Sequence, residues 1–486
     1  MAGQEALGDG LPDQGHHAQA RGEAFVSHLT HLTRRMAFAL AASLAFALAL
    51  PAPSLAATRI QHLISPGGIE AWFVQDATVP LIAMEYAFGG GASQDPADKP
   101  GVGNLVASTI DEGSGNLDSN AFHERLDRRA IELNFSVTRD NFRGSLRMLK
   151  DNKDEAFDLL HMALTSAHLS KEDVERIRAQ IMSGLHRDTT NPNSLASRKF
   201  LEVAFPGHPY GRPGTGTLES VPTITVADMR DYIKRVIARD TLKIAVVGDV
   251  DPATLGQLLD KTFGDLPARS NLTAVPDVAA TAPPQRTFVP LDVPQTTITF
   301  GGPGFLRRDP NFMAAYIDNH IIGGGGLSSR LYREVREKRG LAYSVFESLL
   351  WMDHSALVVG NTGTRADRAG DSLDAVEKEV GKFAEDGPTQ QELDEAKSYL
   401  KGSQMLQLDT SSKLASALLQ YQLDKLPIDY LEKRAGIIDA VTLDDAKQAA
   451  KRLFGEGLLT VVVGREPQAA TQSAGAPGIP PPPKAN

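Results

Sequence analysis

The chain has 486 residues, more than one hydrophobic core organises, so two or more domains are expected. A net charge of −10 excludes nucleic acid as the main partner, because polyanion binding needs a basic surface. The absence of cysteine excludes disulfides, thiolate metal sites and cysteine nucleophiles, and it fits an oxidising compartment.

The first element along the chain is a targeting segment, TRRMAFALAASLAFALALPAPSLAA. Arg34 and Arg35 form a positive region, Met36 to Leu50 an apolar core of 15 residues, and Ser54-Leu55-Ala56 a small-x-small cleavage site. The core is shorter than the roughly 20 residues of a membrane span. A secretory signal peptide cleaved after Ala56 is the expectation, hence a periplasmic or secreted protein. Residues 1–35 read as an extension upstream of a start at Met36. Removing 1–57 (three Arg, four Asp or Glu) leaves a net charge of −9, so the mature protein stays acidic.

The mature chain reads as two similar halves, 58–269 and 287–466, joined by the Pro-, Ala- and Thr-rich linker 270–286. Each half starts with a β-rich stretch ending in glycines, VPLIAMEYAFGGG and PQTTITFGGPG. Long segments with apolar residues at helical spacing follow, among them Glu172 to Arg187 and Gln391 to Gln404. Each half closes on a Thr N-cap with Asp three residues on (Thr225 and Asp228, Thr442 and Asp445), an amphipathic helix and a buried strand, Leu242 to Val247 or Leu459 to Val463. Strands at both ends with helices between argue against simple βαβ alternation. The expected fold class is α+β, two duplicated domains each with a mostly antiparallel sheet packed with helices. The tail 467–486, with GAPGIPPPPKAN, reads as extended or disordered.

In the second half, GGGGLSSRLYREVREKRGLAYSVF puts four glycines, Gly323, Gly324, Gly325 and Gly326, ahead of five basic residues. It lacks both the GK[ST] ending of a phosphate loop and the GxGxxG spacing of a dinucleotide site. The glycines fit either a turn or a close approach by a ligand backbone. Ser328 to Lys338 is expected to be helical, capped by Ser328 or Ser329, with Leu331 and Val335 inward, Glu334 paired to Lys338, and Gly340 as its stop.

GLSSRLYREVREKRGLAYSV resembles the second-domain signature of the M16 family of zinc peptidases (pitrilysin, insulinase and mitochondrial processing peptidase). HPYG at His208 to Gly211 and the two duplicated halves extend the likeness over nearly the whole mature chain. In that family an Arg and a Tyr seven residues later reach into an active site built on the first domain, and the matching pair is Arg336 and Tyr343. A guanidinium and a phenol are suited to holding a substrate carbonyl and stabilising an oxyanion.

The resemblance also implies a metal site, HxxEH on a first-domain helix with a further Glu some 75 residues on. Those positions fall on Asn104, Ala107, Ser108 and the vicinity of Gly184, so both histidines, the base and the third ligand are replaced. His186 stands alone near the last, His161 and His168 have no acid between them, and His28 and His31 lie in the targeting segment. No cofactor is expected in this chain. The family pattern implies a non-catalytic, substrate-binding subunit, with Arg336, Tyr343 and the four glycines facing an extended peptide. The metal would belong to a separate HxxEH-bearing partner chain that holds zinc. The alternatives are a stand-alone peptide-binding protein without turnover and a purely structural subunit.

Overall fold

The computed structural model describes residues 59–465. The expected signal peptide and the Pro-rich tail lie outside them. Eleven strands among these residues form two sheets. The first contains β1 (Gln61–Ile64), β2 (Glu70–Gln75), β3 (Leu81–Gly89), β4 (Glu132–Val137), β5 (Asn141–Leu149) and β6 (Lys243–Gly248), in the order β1-β2-β6-β3-β5-β4. The second contains β7 (Gln285–Pro290), β8 (Gln295–Pro303), β9 (Ala342–Trp351), β10 (Ala356–Arg365) and β11 (Leu459–Gly464), in the order β7-β11-β8-β10-β9. In each sheet one pair is parallel, β2 with β6 and β7 with β11, and the others are antiparallel. Apart from the extra β1, the two orders superimpose strand for strand, as a duplication requires.

The repeated helix starts are built alike. Thr225 and Asp228 form a reciprocal capping box, with Asp228 N to Thr225 Oγ1 at 3.2 Å and Thr225 N to Asp228 Oδ2 at 2.7 Å. Thr442 and Asp445 repeat it at 3.1 and 2.9 Å. Burial alone would raise the Asp228 carboxyl, but its bond to Lys99 at 2.7 Å and the capping bonds lower it below the usual range, and the capping bonds lower Asp445 likewise. The hairpins β4–β5 and β9–β10 in the middle of the halves depart from the expected strands at the ends with helices between.

Both closing strands are nearly continuous apolar runs because both of their faces are covered. On one face, each sheet packs on helices of its own half. Ile244 and Val246 of β6 join the first large core, and Val462 of β11 joins the second. On the other face, each sheet takes a helix from the opposite half. Helix Pro192–Ala204 sets Ala196, Phe200 and Ala204, four apart, on Leu357, Leu459, Val461 and Val463 of the second sheet. Helix Ser411–Leu423 sets Ala415, Leu418 and Leu419 on Val74, Ala87, Ala245 and Val247 of the first.

The linker is not a loose tether. Val278 N donates to His354 O at 2.9 Å, Thr281 N to Ala204 O at 2.9 Å, and Ala280 is buried under the exchanged helix. Its last two residues, Gln285 and Arg286, belong to β7, because they pair with Leu459 and Thr460.

His208 to Gly211 forms a strut between the halves. His208 Nδ1 accepts from Tyr210 N at 3.1 Å, and its Nε2 lies 3.0 Å from Pro276 O. The buried Tyr210 hydroxyl donates to Asp140 Oδ1 at 2.5 Å and accepts from His354 N at 3.1 Å, while Asp140 Oδ2 accepts from Asp353 N at 3.1 Å. Burial, with the neighbouring Asp140 carboxylate, pushes the Tyr210 phenol above its ordinary pKa, so it stays a donor.

Truncating Phe200 to Ala should therefore cost about 3–5 kcal/mol in a denaturant titration, since it empties the centre of one exchanged contact. Tyr210→Phe should cost about 1.5–3 kcal/mol by leaving the Asp140 carboxylate short of a donor.

Candidate functional site

The glycine-rich stretch folds differently from the regular α-helix expected. His320–Gly324 is a π turn, closed by Gly325 N donating to His320 O at 2.7 Å. A 3₁₀ turn, Gly326–Ser328, comes next, and a second π turn spans Tyr332–Glu337. Ser329 does cap the segment, its Oγ accepting from Tyr332 N at 3.4 Å. Leu331 and Val335 are fully buried, Glu334 pairs with Lys338, and Gly340 stops the turn at φ +59°.

Most of the glycines have internal reasons. A Cβ on Gly323 would lie 2.5 Å from Glu347 Cβ and 2.8 Å from Glu347 N, so this residue faces the core and is buried. On Gly324 a Cβ would meet Asn319 Nδ2 at 2.6 Å, and on Gly325 it would meet His320 O at 2.7 Å. Gly326 has open space around it but needs its φ of +58°. The surface available to a ligand narrows to Gly324, Gly326 and the partly exposed Gly325.

Arg336 and Tyr343 come together. The Arg336 guanidinium lies over the Tyr343 ring at 4.8 Å and over the Tyr332 ring at 4.8 Å. Tyr343 is 82% exposed. Two distortions of regular geometry place them. The π turn, with Lys338 N donating to Arg333 O at 2.9 Å, shifts the phase of Arg336 along the helix. In β9 the pairing passes from Val345↔Thr362 to Ala342↔Thr364, so Tyr343 and Ser344 together oppose Gly363. This bulge breaks the alternation and leaves both residues outward. Tyr332, four residues before Arg336, was missed in the sequence; its helical spacing was the available signal.

Strand β9 is the free edge of the second sheet, pairing with β10 alone. Beyond Tyr343 it exposes Phe346 and Leu350. Alternate residues point inward, and one of them is Glu347, 1% exposed. Among the described residues, neither its carboxyl oxygens nor those of Asp318 (0% exposed) make a hydrogen bond of good geometry, although the Ala450 backbone lies near Asp318. Burial pushes both carboxyls well above their ordinary pKa, and each would repel the other's charge.

On the first domain, helix Val102–Ala107 buries Val102, Leu105 and Val106 in the core. Ala107 and Ser108 face an open cavity of about 460 Å³ that also takes Asp111, Glu112, Gln180 and Ile181. Asn104 and Gly184 do not line it, so Ser108 shares this cavity with Gln180 and Ile181 of the later helix and not with Gly184. Glu112 is committed elsewhere, accepting from Arg176 at 2.7 Å and from Ser119, with His123 at 3.4 Å. Burial alone would push its carboxyl up, but these partners outweigh that and lower it. Asp111 is raised by burial. Zinc does not fit these residues: alanine offers no donor, and Asn104 and Ser108 offer only neutral oxygens or an amide. Among the described residues no three of His, Cys, Asp and Glu gather to hold a metal ion.

Two family models cover most of the described residues. The one described as Insulinase (Peptidase family M16) matches residues 75–218, and the one described as Peptidase M16 inactive domain matches 223–400. The chain belongs to the M16 peptidase family. A Helicobacter pylori protein named Non-peptidase homolog YmxG is 25% identical over 82% of this chain and 92% of its own length. An uncharacterized zinc protease of Mycobacterium tuberculosis is 26% identical over 85% and 95%. The crystal structure of a peptidase M16 inactive domain from Pseudomonas fluorescens superimposes with a TM-score of 0.78 at 26% identity, covering 85% of this chain and all of that one.

The buried acids give this M16 chain a defined pH response. Their folded pKa values are raised, so their contribution to stability is complete below the ordinary carboxylate range and is lost as pH rises toward the folded values. Glu347→Gln should match the parent's melting temperature near pH 4 and exceed it increasingly toward pH 8, measured by differential scanning calorimetry. Gly323→Ala should cost about 1–3 kcal/mol through the clash with Glu347.

Proposed function

We propose that this chain is the non-catalytic, substrate-binding subunit of a periplasmic M16 peptidase pair. Its signal peptide carries it out of the cytoplasm, and its Arg336 and Tyr343 complete the active site of an HxxEH-bearing, zinc-holding partner. The observation that carries the reading is the contrast between the two halves. The metal positions Asn104, Ala107 and Ser108 have lost their donors, while the half-exposed Arg336 of the π turn lies 4.8 Å from the ring of the exposed Tyr343 on β9. A pair with no task of its own would have no reason to stay accessible at the end of a π turn and in a bulge.

The chemistry assigned to the pair follows from its setting. A phenol and a guanidinium held in contact lose little freedom when a carbonyl or oxyanion arrives, and both side chains carry donors. The free edge of β9 offers main-chain donors and acceptors to an extended peptide, with Phe346 and Leu350 under alternate side chains. The peptide would run past Gly324 and Gly326 toward the partner's metal.

A second reading is favoured by the name of the Helicobacter pylori relative, which describes that protein as a non-peptidase homolog. In it the same edge strand binds peptides without turnover, alone or as a pair of identical chains.

The deciding experiment is expression with and without an HxxEH-bearing M16 chain from the same source. Co-purification, zinc only in the complex and peptide cleavage only by the complex are expected. In that complex Arg336→Ala with Tyr343→Phe should lower kcat/KM about 100-fold or more, as loss of an oxyanion donor does. Stoichiometric zinc and cleavage by the chain alone would overturn the proposal, and so would an unchanged rate in the double variant. Peptide binding with no turnover in any pairing would favour the second reading.

A further inference from the structure

A cavity of about 420 Å³, lined by neither Arg336 nor Tyr343, opens where the exchanged helix Ser411–Leu423 meets both halves. Its walls combine Arg143 of β5 in the first sheet with residues of the second half. The volume lies within the range of small-ligand sites.

Its charge balance is one-sided. Arg143, Arg307, Arg434 and Lys413 line it, against the single carboxylate of Asp424. Asp424 is already engaged, accepting from Trp351 Nε1 at 3.0 Å and Gln420 Nε2 at 2.8 Å, with Arg307 Nε at 3.5 Å from its other oxygen. Arg143 donates to the Gln420 amide oxygen at 3.2 Å. Arg434 donates through one nitrogen to Leu400 O at 3.0 Å and Gln404 Oε1 at 3.2 Å. Each guanidinium has five N–H donors. Among the described residues, therefore, most of the donors of these three arginines meet no protein acceptor. Lys413 is held at the exposed rim by Asp409, 2.7 Å away.

Five aromatic rings share the remaining wall with Met313, Leu408 and polar residues such as Gln404 and Gln407. Phe312 packs on Tyr316 at 6.1 Å and on Trp351 at 5.1 Å, and Tyr421 meets Tyr430 at 5.0 Å. Arg307 lies over the Phe312 ring at 4.4 Å and Arg434 over Tyr316 at 5.9 Å. The arginine planes are thereby oriented, which favours forked recognition of a carboxylate beside a planar apolar group.

We propose that this cavity binds a small aromatic carboxylate, with its ring against Phe312, Tyr316 and Trp351 and its carboxylate on Arg434 and Arg307. One aromatic ring with one carboxylate matches a mostly carbon wall better than a polyphosphate would, because Asp424 repels surplus negative charge. A free aromatic acid and the carboxyl-terminal aromatic residue of a peptide share this chemistry.

The test uses the purified full chain and four probes: N-acetyl-phenylalanine, its amide, the tetrapeptide Ala-Ala-Ala-Phe and phenyl phosphate. Binding is read by calorimetry and by quenching of tryptophan fluorescence, since the chain has only two Trp and one of them, Trp351, is in the wall. Saturable binding of at least one acid, tenfold or more tighter than the amide, is expected. Arg434→Gln should weaken that binding about tenfold or more, consistent with loss of a charge-assisted pair, whereas Arg336→Ala should leave it unchanged. Tighter binding of the tetrapeptide would identify a peptide end as the ligand, and tighter binding of the acetylated amino acid a free acid. Equal binding of acid and amide would overturn the proposal, as would stronger binding of phenyl phosphate than of either acid. The absence of saturation below about 10 mM would overturn it too. These comparisons on the unaltered protein decide the matter even if Arg434→Gln fails to fold.

Discussion

The exchange of helices between the halves is the constraint on which the rest of the structure depends. A sheet with one face on its own helices still exposes the other, and β6 and β11 are apolar on both. Helix Pro192–Ala204 covers the second sheet and helix Ser411–Leu423 covers the first. Neither half can bury its closing strand without the other, so the described chain behaves as a single compact unit despite its two sheets. The Asp140–Tyr210–His354 strut and the bonded linker fasten the same seam with directional contacts, which adds geometric definition to a largely apolar interface.

That arrangement leaves one long apolar-bearing edge without cover. Strand β9 lies at the far side of the second sheet from β7, beyond the reach of the exchanged helix that covers β8 and β11. Its bulge at Tyr343–Ser344 and the π turn at Tyr332–Glu337 interrupt regular hydrogen bonding where Arg336 and Tyr343 meet. Local irregularities of this kind are expected where a side chain must be aimed rather than merely packed. Beneath them Gly323 allows Glu347 and its strand to approach the turn closely, so the exposed pair rests on a buried and electrostatically costly support.

The first domain shows the opposite outcome. Helix Val102–Ala107 keeps Val102, Leu105 and Val106 in the core, and the face that would carry metal ligands holds Asn104, Ala107 and Ser108. Ala107 itself packs in the core, while Asn104 and Ser108 are half-buried, so small neutral residues at the metal positions are accommodated without disturbing the fold. An M16 chain of this type can therefore remain well folded while depending on another protein, or on no catalysis at all, for its role.

How much could be read in advance followed the range of the interactions. The duplication, the Thr225 and Thr442 capping boxes and the strands ending at Gly248 and Gly464 are local or periodic patterns that the amino-acid sequence determined, whereas the replaced metal positions were legible only through the family resemblance. The pairing of Arg336 with Tyr343 was legible only through a family signature, since nothing in seven residues of spacing specifies a π turn and a bulge. Other features needed the tertiary structure: the placement of Gln180 and Ile181 in one cavity with Ser108, the inward use of Gly323, the burial of Asp318 with Glu347, and the arginine-lined cavity at the seam. They join residues far apart in the chain, and their energies come from desolvation and packing that exist only once the exchanged helices have closed over the two sheets.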